Sequence, residues 1–225
     1  MPREGRAVID RAMTALVWQA LLAAARTPAV WAAVVAQIAL LSLYLLVWGD
    51  GVPLVGARPV LEQFASMQWV CLGLALPWAA VRCGAARRPD EITHMAVLGA
   101  TRPAVVVAAG VVALGLLLLT VSLAGLPFAL LAQQISAAPM TALWHSQLPL
   151  YALSLCVAPV TAACILIVDN RLFAWTLSTA LTLALMALLP AGVAGAAALV
   201  TAGAIAAALA VSGADRRFCY LSEHV

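Results

Sequence analysis

Six apolar stretches divide this chain, and eleven of its twelve arginines fall in alternate gaps between them. Arg3, Arg6, Arg11 and Arg26 precede the first stretch. Arg82, Arg87, Arg88 and Arg102 lie between the second and third, Arg171 between the fourth and fifth, and Arg216 and Arg217 beyond the sixth. Arg58 alone lies in one of the other gaps. Moving a guanidinium across a bilayer is costly, so short loops rich in arginine stay on the cytoplasmic side. The alternation predicts an all-α membrane protein with six transmembrane helices and both termini cytoplasmic.

Composition leads to the bilayer by a separate route. With 65% apolar and 9% charged residues, and a mean hydropathy of +1.06, the chain has too little polar surface to cover a soluble domain. Lysine is absent and the arginines stand where topology needs them, so the net charge of +3 points to no nucleic-acid partner. Cys71, Cys83, Cys156, Cys164 and Cys219 are scattered, without the paired spacing of a metal or disulfide framework, and read as small apolar residues.

A spanning helix needs about 20 largely apolar residues, and the candidates are roughly 29–48, 67–83, 104–131, 149–168, 172–190 and 192–212. Before them, Ile9, Met13, Leu16 and Ala20 recur at helical spacing with Arg3, Arg6, Asp10 and Arg11 on or near the polar side, which predicts an interfacial amphipathic helix within 1–28 on the cytoplasmic leaflet. Arg26 interrupts this run, so it reads as mature sequence and not as a signal peptide. Residues 213–225 form a cytoplasmic tail. The outer loops are expected at 49–66 and 132–148, with a Pro190-Ala191 corner between the last two spans. Trp31, Trp48, Trp69, Trp144 and Trp175 fall near span ends, as headgroup anchors do. In the last span Ala198, Ala202, Ala206 and Ala210, with Gly195 and Gly203, give a small-residue side suited to close helix packing, against a partner not identified by spacing alone.

The densest polar segment lies in the inner gap 84–102. Pro89 suits a first helical turn, Asp90 and Glu91 favour the positive end of the helix dipole, and Gly99 suits a C-terminal stop. A short helix of about ten residues, roughly 15 Å long, is expected. Ile92, Met95, Ala96 and Gly99 share one face, an apolar ridge of the kind that lies in another protein's groove. The plainer alternative is a basic loop that only holds topology.

The string from Arg87-Arg88 through Asp90-Glu91-Ile92, Met95 and Leu98-Gly99 to Arg102 resembles the coupling segment of ATP-binding-cassette exporter permeases. The order of elements is similar to the six-span ABC-2-type branch, Gly110–Ile135 resembles its long third span, and the chain is near the size of a heme-exporter permease. It departs from many members of that branch in having only Pro190-Ala191-Gly192-Val193 where they place re-entrant helices. The resemblance implies that Glu91 is the acidic coupling position, with Arg87, Arg88 and Asp90 as its charged flank, Ile92 and Met95 along the helix, and Leu98-Gly99 at its end. It also implies a cytoplasmic ATPase partner that binds ATP and Mg, a homodimer or a heterodimer with another permease, a multi-pass place in the bacterial plasma (inner) membrane, and export of a hydrophobic or amphipathic substrate.

Without lysine, the GxxxxGK[ST] phosphate loop cannot be written in this chain, so ATP hydrolysis is expected of a separate subunit. No catalytic residue or metal set is expected: HExxH, GxSxG and paired intramembrane carboxylates do not occur. His145, beside Trp144 at the outer mouth of the fourth span, is a candidate for substrate contact, weighed against a solvated interfacial histidine. Gln37, Gln133, Gln134, Thr120, Ser122, Ser154, Thr161, Ser178, Thr179 and Thr182 are the polar groups within or beside the spans, expected mostly to bond to their own helix or to join helices. The competing reading is a non-transporting scaffold or accessory subunit that docks a cytoplasmic partner.

Overall fold

The computed structural model describes residues 2–48, 60–83, 91, 92, 94, 102–168, 170–188 and 193–222; for 2–12, 48, 60, 193 and 215–222 only the helical backbone is described. The long elements are α1 (Pro2–Ala25), α2 (Pro28–Trp48), α3 (Val60–Arg82), α4 (Pro103–Leu123), α5 (Leu126–Ser136), α6 (Met140–Ile167), α7 (Arg171–Leu188) and α8 (Val193–Ser222). Six segments among the described residues are long and apolar enough to cross a bilayer, with α4 and α5 together forming the third. Nearly every backbone group therefore bonds within its own helix, as hydrocarbon requires.

Two expected outer boundaries are corrected. α3 starts at Val60, not near 67, and α6 starts at Met140, not near 149. The expected 132–148 loop is reduced to Ala137–Pro139, where Ala137 takes a left-handed conformation (φ 50°). The amide of Ala138 donates to Gln133 O at 3.2 Å, and Gln133 Nε2 donates to Ala138 O at 2.8 Å, so the turn closes the helix end in the manner of a Schellman motif. A hydropathy window rejects stretches holding Glu62 and Gln63 or His145 and Gln147. The same stretches carry Leu61, Phe64 and Leu143, which pack with Leu41, Ala129 and Ala132 in one buried cluster. The helices continue because those residues have partners.

A second, larger cluster fills the middle of the bundle with Leu72, Leu76, Leu114, Leu118, Leu150, Leu153 and Leu199. A third closes the arginine-bearing end, where Ile92, Val106, Val107, Leu166, Ala210 and Ala214 are buried and Leu16 of α1 packs on them. α6 is the axis: it packs against α8, α4, α3 and α7. The small-residue side of α8 finds its neighbour in the same chain. A Cβ on Gly203 would stand 3.1 Å from Cys156 Cα, so glycine lets the two backbones approach. The buried face runs through Gly195, Ala196, Leu199, Gly203, Ala210 and Ala214, with Ala198, Ala202 and Ala206 only partly covered, one step around from the expected ladder.

The tryptophans divide. Trp31 and Trp144 are exposed, and Trp31 Nε1 donates to Ala25 O at 2.7 Å, pinning the α1–α2 corner. Trp69 and Trp175 instead lean on the central cluster. The side chain of Trp48 lies outside the described residues.

Candidate functional site

Three places in the bundle hold groups that apolar packing does not account for. The first is the arginine-bearing end. Helix directions bring Arg26, Arg82, Arg102 and Arg171 there, and Thr27 Oγ1 reaches Cys83 O at 3.5 Å across the α2 and α3 ends. Of the expected docking segment, Glu91, Ile92 and His94 are described; Arg87, Arg88, Asp90, Met95, Leu98 and Gly99 lie outside the described residues. Glu91 and His94 are exposed. Ile92 is only 5% exposed and belongs to the cluster with Val106, Val107, Leu166 and Ala210. Of the expected ridge, Ile92 packs on its own bundle, where the ends of α4, α6 and α8 present an apolar surface; Met95, Ala96 and Gly99 lie outside the described residues.

The second is a polar seam along α6. Gln147, Ser154 and Thr161 recur every seven residues on its most covered face, and each is buried. Each meets a different helix. Gln147 Nε2 donates to Gln68 Oε1 of α3 at 3.1 Å, the Ser154 and Ser122 hydroxyls pair between α6 and α4, and Thr161 pairs with Ser178 of α7 at 2.7 Å. Ser154 and Thr182 also donate to the carbonyls four residues earlier, at 2.9 and 2.8 Å, as expected for hydroxyls in apolar helices. Thr120 bonds Leu116 O at 2.8 Å, so it too is satisfied by its own helix. The sequence reading listed Ser122, Ser154, Thr161 and Ser178 but missed Gln68 and Gln147. The seven-residue interval from Gln147 was the available signal, hidden because that stretch had been assigned to a loop.

At the top of the seam Gln37 of α2 joins Gln68 and Gln147. All three are at most 2% exposed. They stand one turn from residues of both clusters: Ala33 and Leu41 flank Gln37, Phe64 and Leu72 flank Gln68, Leu143 and Leu150 flank Gln147. The break between α4 and α5 falls at the same level. Gly125 there has no room for a side chain, since a Cβ would run into the amides of Gln68 and Gln37. Pro127 lacks an N–H, so the carbonyl of Leu123 loses its helical donor at this break.

The third place is an open groove of about 660 Å³ at the end of the bundle away from the arginines. α3 and α6 form its walls. Leu61, Ala65, Trp69, Ala142 and Pro149 supply the apolar surface, while Glu62, Ser66, Thr141, His145 and Ser146 supply the polar groups. Pro149 has no N–H for the carbonyl of His145, which leaves that oxygen as a further acceptor beside the groove. The fold thus places His145 and Glu62, 83 positions apart in the chain, in the lining of one groove, which spacing alone does not reveal.

Compared with known protein families, with characterised proteins and with solved structures, the chain matches none.

Proposed function

We propose that this chain is the transmembrane subunit of an ATP-binding-cassette exporter, with both termini and the 84–102 segment in the cytoplasm and α1 along the inner leaflet. A separate ATPase supplies the energy. One observation carries the reading. Exposed Glu91 sits directly beside Ile92, and Ile92 is buried among residues of α4, α6 and α8. A contact made on Glu91 is thereby tied to three spans at once, which is what a lever into the bundle needs. The arginine alternation supports the orientation, and the absence of lysine supports a partner ATPase. The amphipathic groove with Glu62 and His145 suits a cargo with an apolar body and a hydrogen-bonding head.

Glu91→Arg tests this. Reversing the charge removes a dipole contribution of about 0.3–1 kcal/mol and sets like charge against a basic docking site, which costs several kcal/mol. The variant inserts normally, because the spans and arginines are unchanged, and loses both the co-purifying ATPase and transport. Retention of both returns the segment to a topological loop. Orientation is checked separately: a cysteine at Ala137 reacts with an impermeant maleimide from outside, and one at Ala86 does not.

The alternative of an accessory subunit draws on the paired seam, whose hydroxyls bond helix to helix. Purified complex decides between them. ATP hydrolysis that rises with an added amphiphile supports the exporter, and hydrolysis indifferent to any cargo supports the accessory role.

A further inference from the structure

The three glutamines do not satisfy one another. The Gln147–Gln68 bond leaves Gln37 Nε2, Gln37 Oε1, Gln68 Nε2 and Gln147 Oε1 without a partner, all buried. Two are N–H donors and two are carbonyl acceptors. Hydrocarbon offers nothing to either kind, and an amide, unlike a carboxyl, cannot escape the penalty by changing its charge. The mixture defines the guest. A metal cation would use only the acceptors and an anion only the donors. A molecule with two O–H groups and two lone pairs uses all four.

We propose that the Gln37–Gln68–Gln147 plane is a buried hydration site, in which bound water accepts from Gln37 Nε2 and Gln68 Nε2 and donates to Gln37 Oε1 and Gln147 Oε1. Buried waters characteristically make about three such bonds to groups otherwise unpaired. Gly125 lets both amide nitrogens come up against its backbone, since a methyl there would collide with each of them. The plane separates the cluster of Leu41, Phe64 and Leu143 from that of Leu72, Leu118 and Leu150.

The competing arrangement needs no water. Rotated amides would close a ring, Gln68 Nε2 donating to Gln37 Oε1 and Gln37 Nε2 to Gln147 Oε1. X-ray radiolytic labelling of the full chain in nanodiscs separates the two, because activated buried water oxidises side chains that bulk solvent never reaches. With water in place, Phe64 and Leu41, both 0% exposed, are labelled, and in H2 18O they acquire the heavy isotope only after a delay relative to exposed Trp144. Gln37→Met abolishes labelling at Phe64 while Trp144 is labelled as before. An unlabelled Phe64 in the unmodified protein overturns the proposal in favour of the ring, with no variant required. Labelling of Phe64 that persists unchanged in Gln37→Met overturns it as well.

Discussion

α2 and α6 are almost equally hydropathic, yet 28% of the α2 span is buried inside the bundle and 78% of the α6 span. In water such helices would compete equally for the core. In a bilayer lipid solvates an apolar side chain as well as protein does, and hydropathy no longer ranks burial. What differs is polar content and bulk. α6 carries Gln147, Ser154 and Thr161 in a seven-residue stripe, and its Cys156 backbone accepts Gly203 of α8. α2 turns Val35, Leu43 and Leu46 outward, and its buried polar group within the span is Gln37. The helix with most to lose in lipid sits at the axis.

The strongest way to break this comparison is to push α8 off α6. Gly203→Leu sets a bulky side chain against the Cys156 backbone, and about 3 kcal/mol of destabilisation is expected, the upper end for overpacking. Reversible unfolding in mixed micelles or bilayers measures it, and a neutral result would mean that α8 does not rest on α6. Next in size is Leu153→Ala on α6, a residue 0% exposed. About 2 kcal/mol is expected, the lower end for a core truncation, because the cavity remains while the transfer penalty into lipid vanishes. Leu43→Ala on α2, where Leu43 is 56% exposed, should leave the same unfolding curve in place. Equal effects at the two sites would erase the distinction between the helices.

Gln147→Leu sharpens the role of the stripe. It removes the bond to Gln68 and strands another buried acceptor, Gln68 Oε1, at an expected cost of about 1–2 kcal/mol. A gain in stability would mean that the glutamine is kept for reasons other than holding α3. A smaller term than that of Gln147 is expected for Ser122 and Ser154. A double-mutant cycle with alanine should give a coupling of about 0.6 kcal/mol, typical of interhelical bonds in membranes. Strict additivity would show the two hydroxyls to be independent, each content with its own helix.

The N-terminal ends of α3 and α6 are hard to read from the sequence for one reason. Gln63, His145 and Gln147 look like loop residues when hydropathy is averaged over a window, and only packing partners across the bundle turn those segments into helix. Ile92 presents the opposite case. Its helical face was legible, but spacing does not say whether an apolar face meets another protein or the chain's own helix ends. His145 is a candidate from the sequence, whereas Glu62 and the groove they share come only from the fold.

By itself the sequence determined the number of apolar helices and the arginines that separate them, because span length and the cost of moving charge through hydrocarbon are local properties of each segment. Tertiary structure alone decided which faces are inside. That choice turns on one helix's polar or small residue meeting its complement on another, Gln147 with Gln68, Ser154 with Ser122, Gly203 with Cys156. Such pairings span many positions along the chain, and a period such as the seven-residue stripe of α6 does not say which residue of another helix meets each of its members.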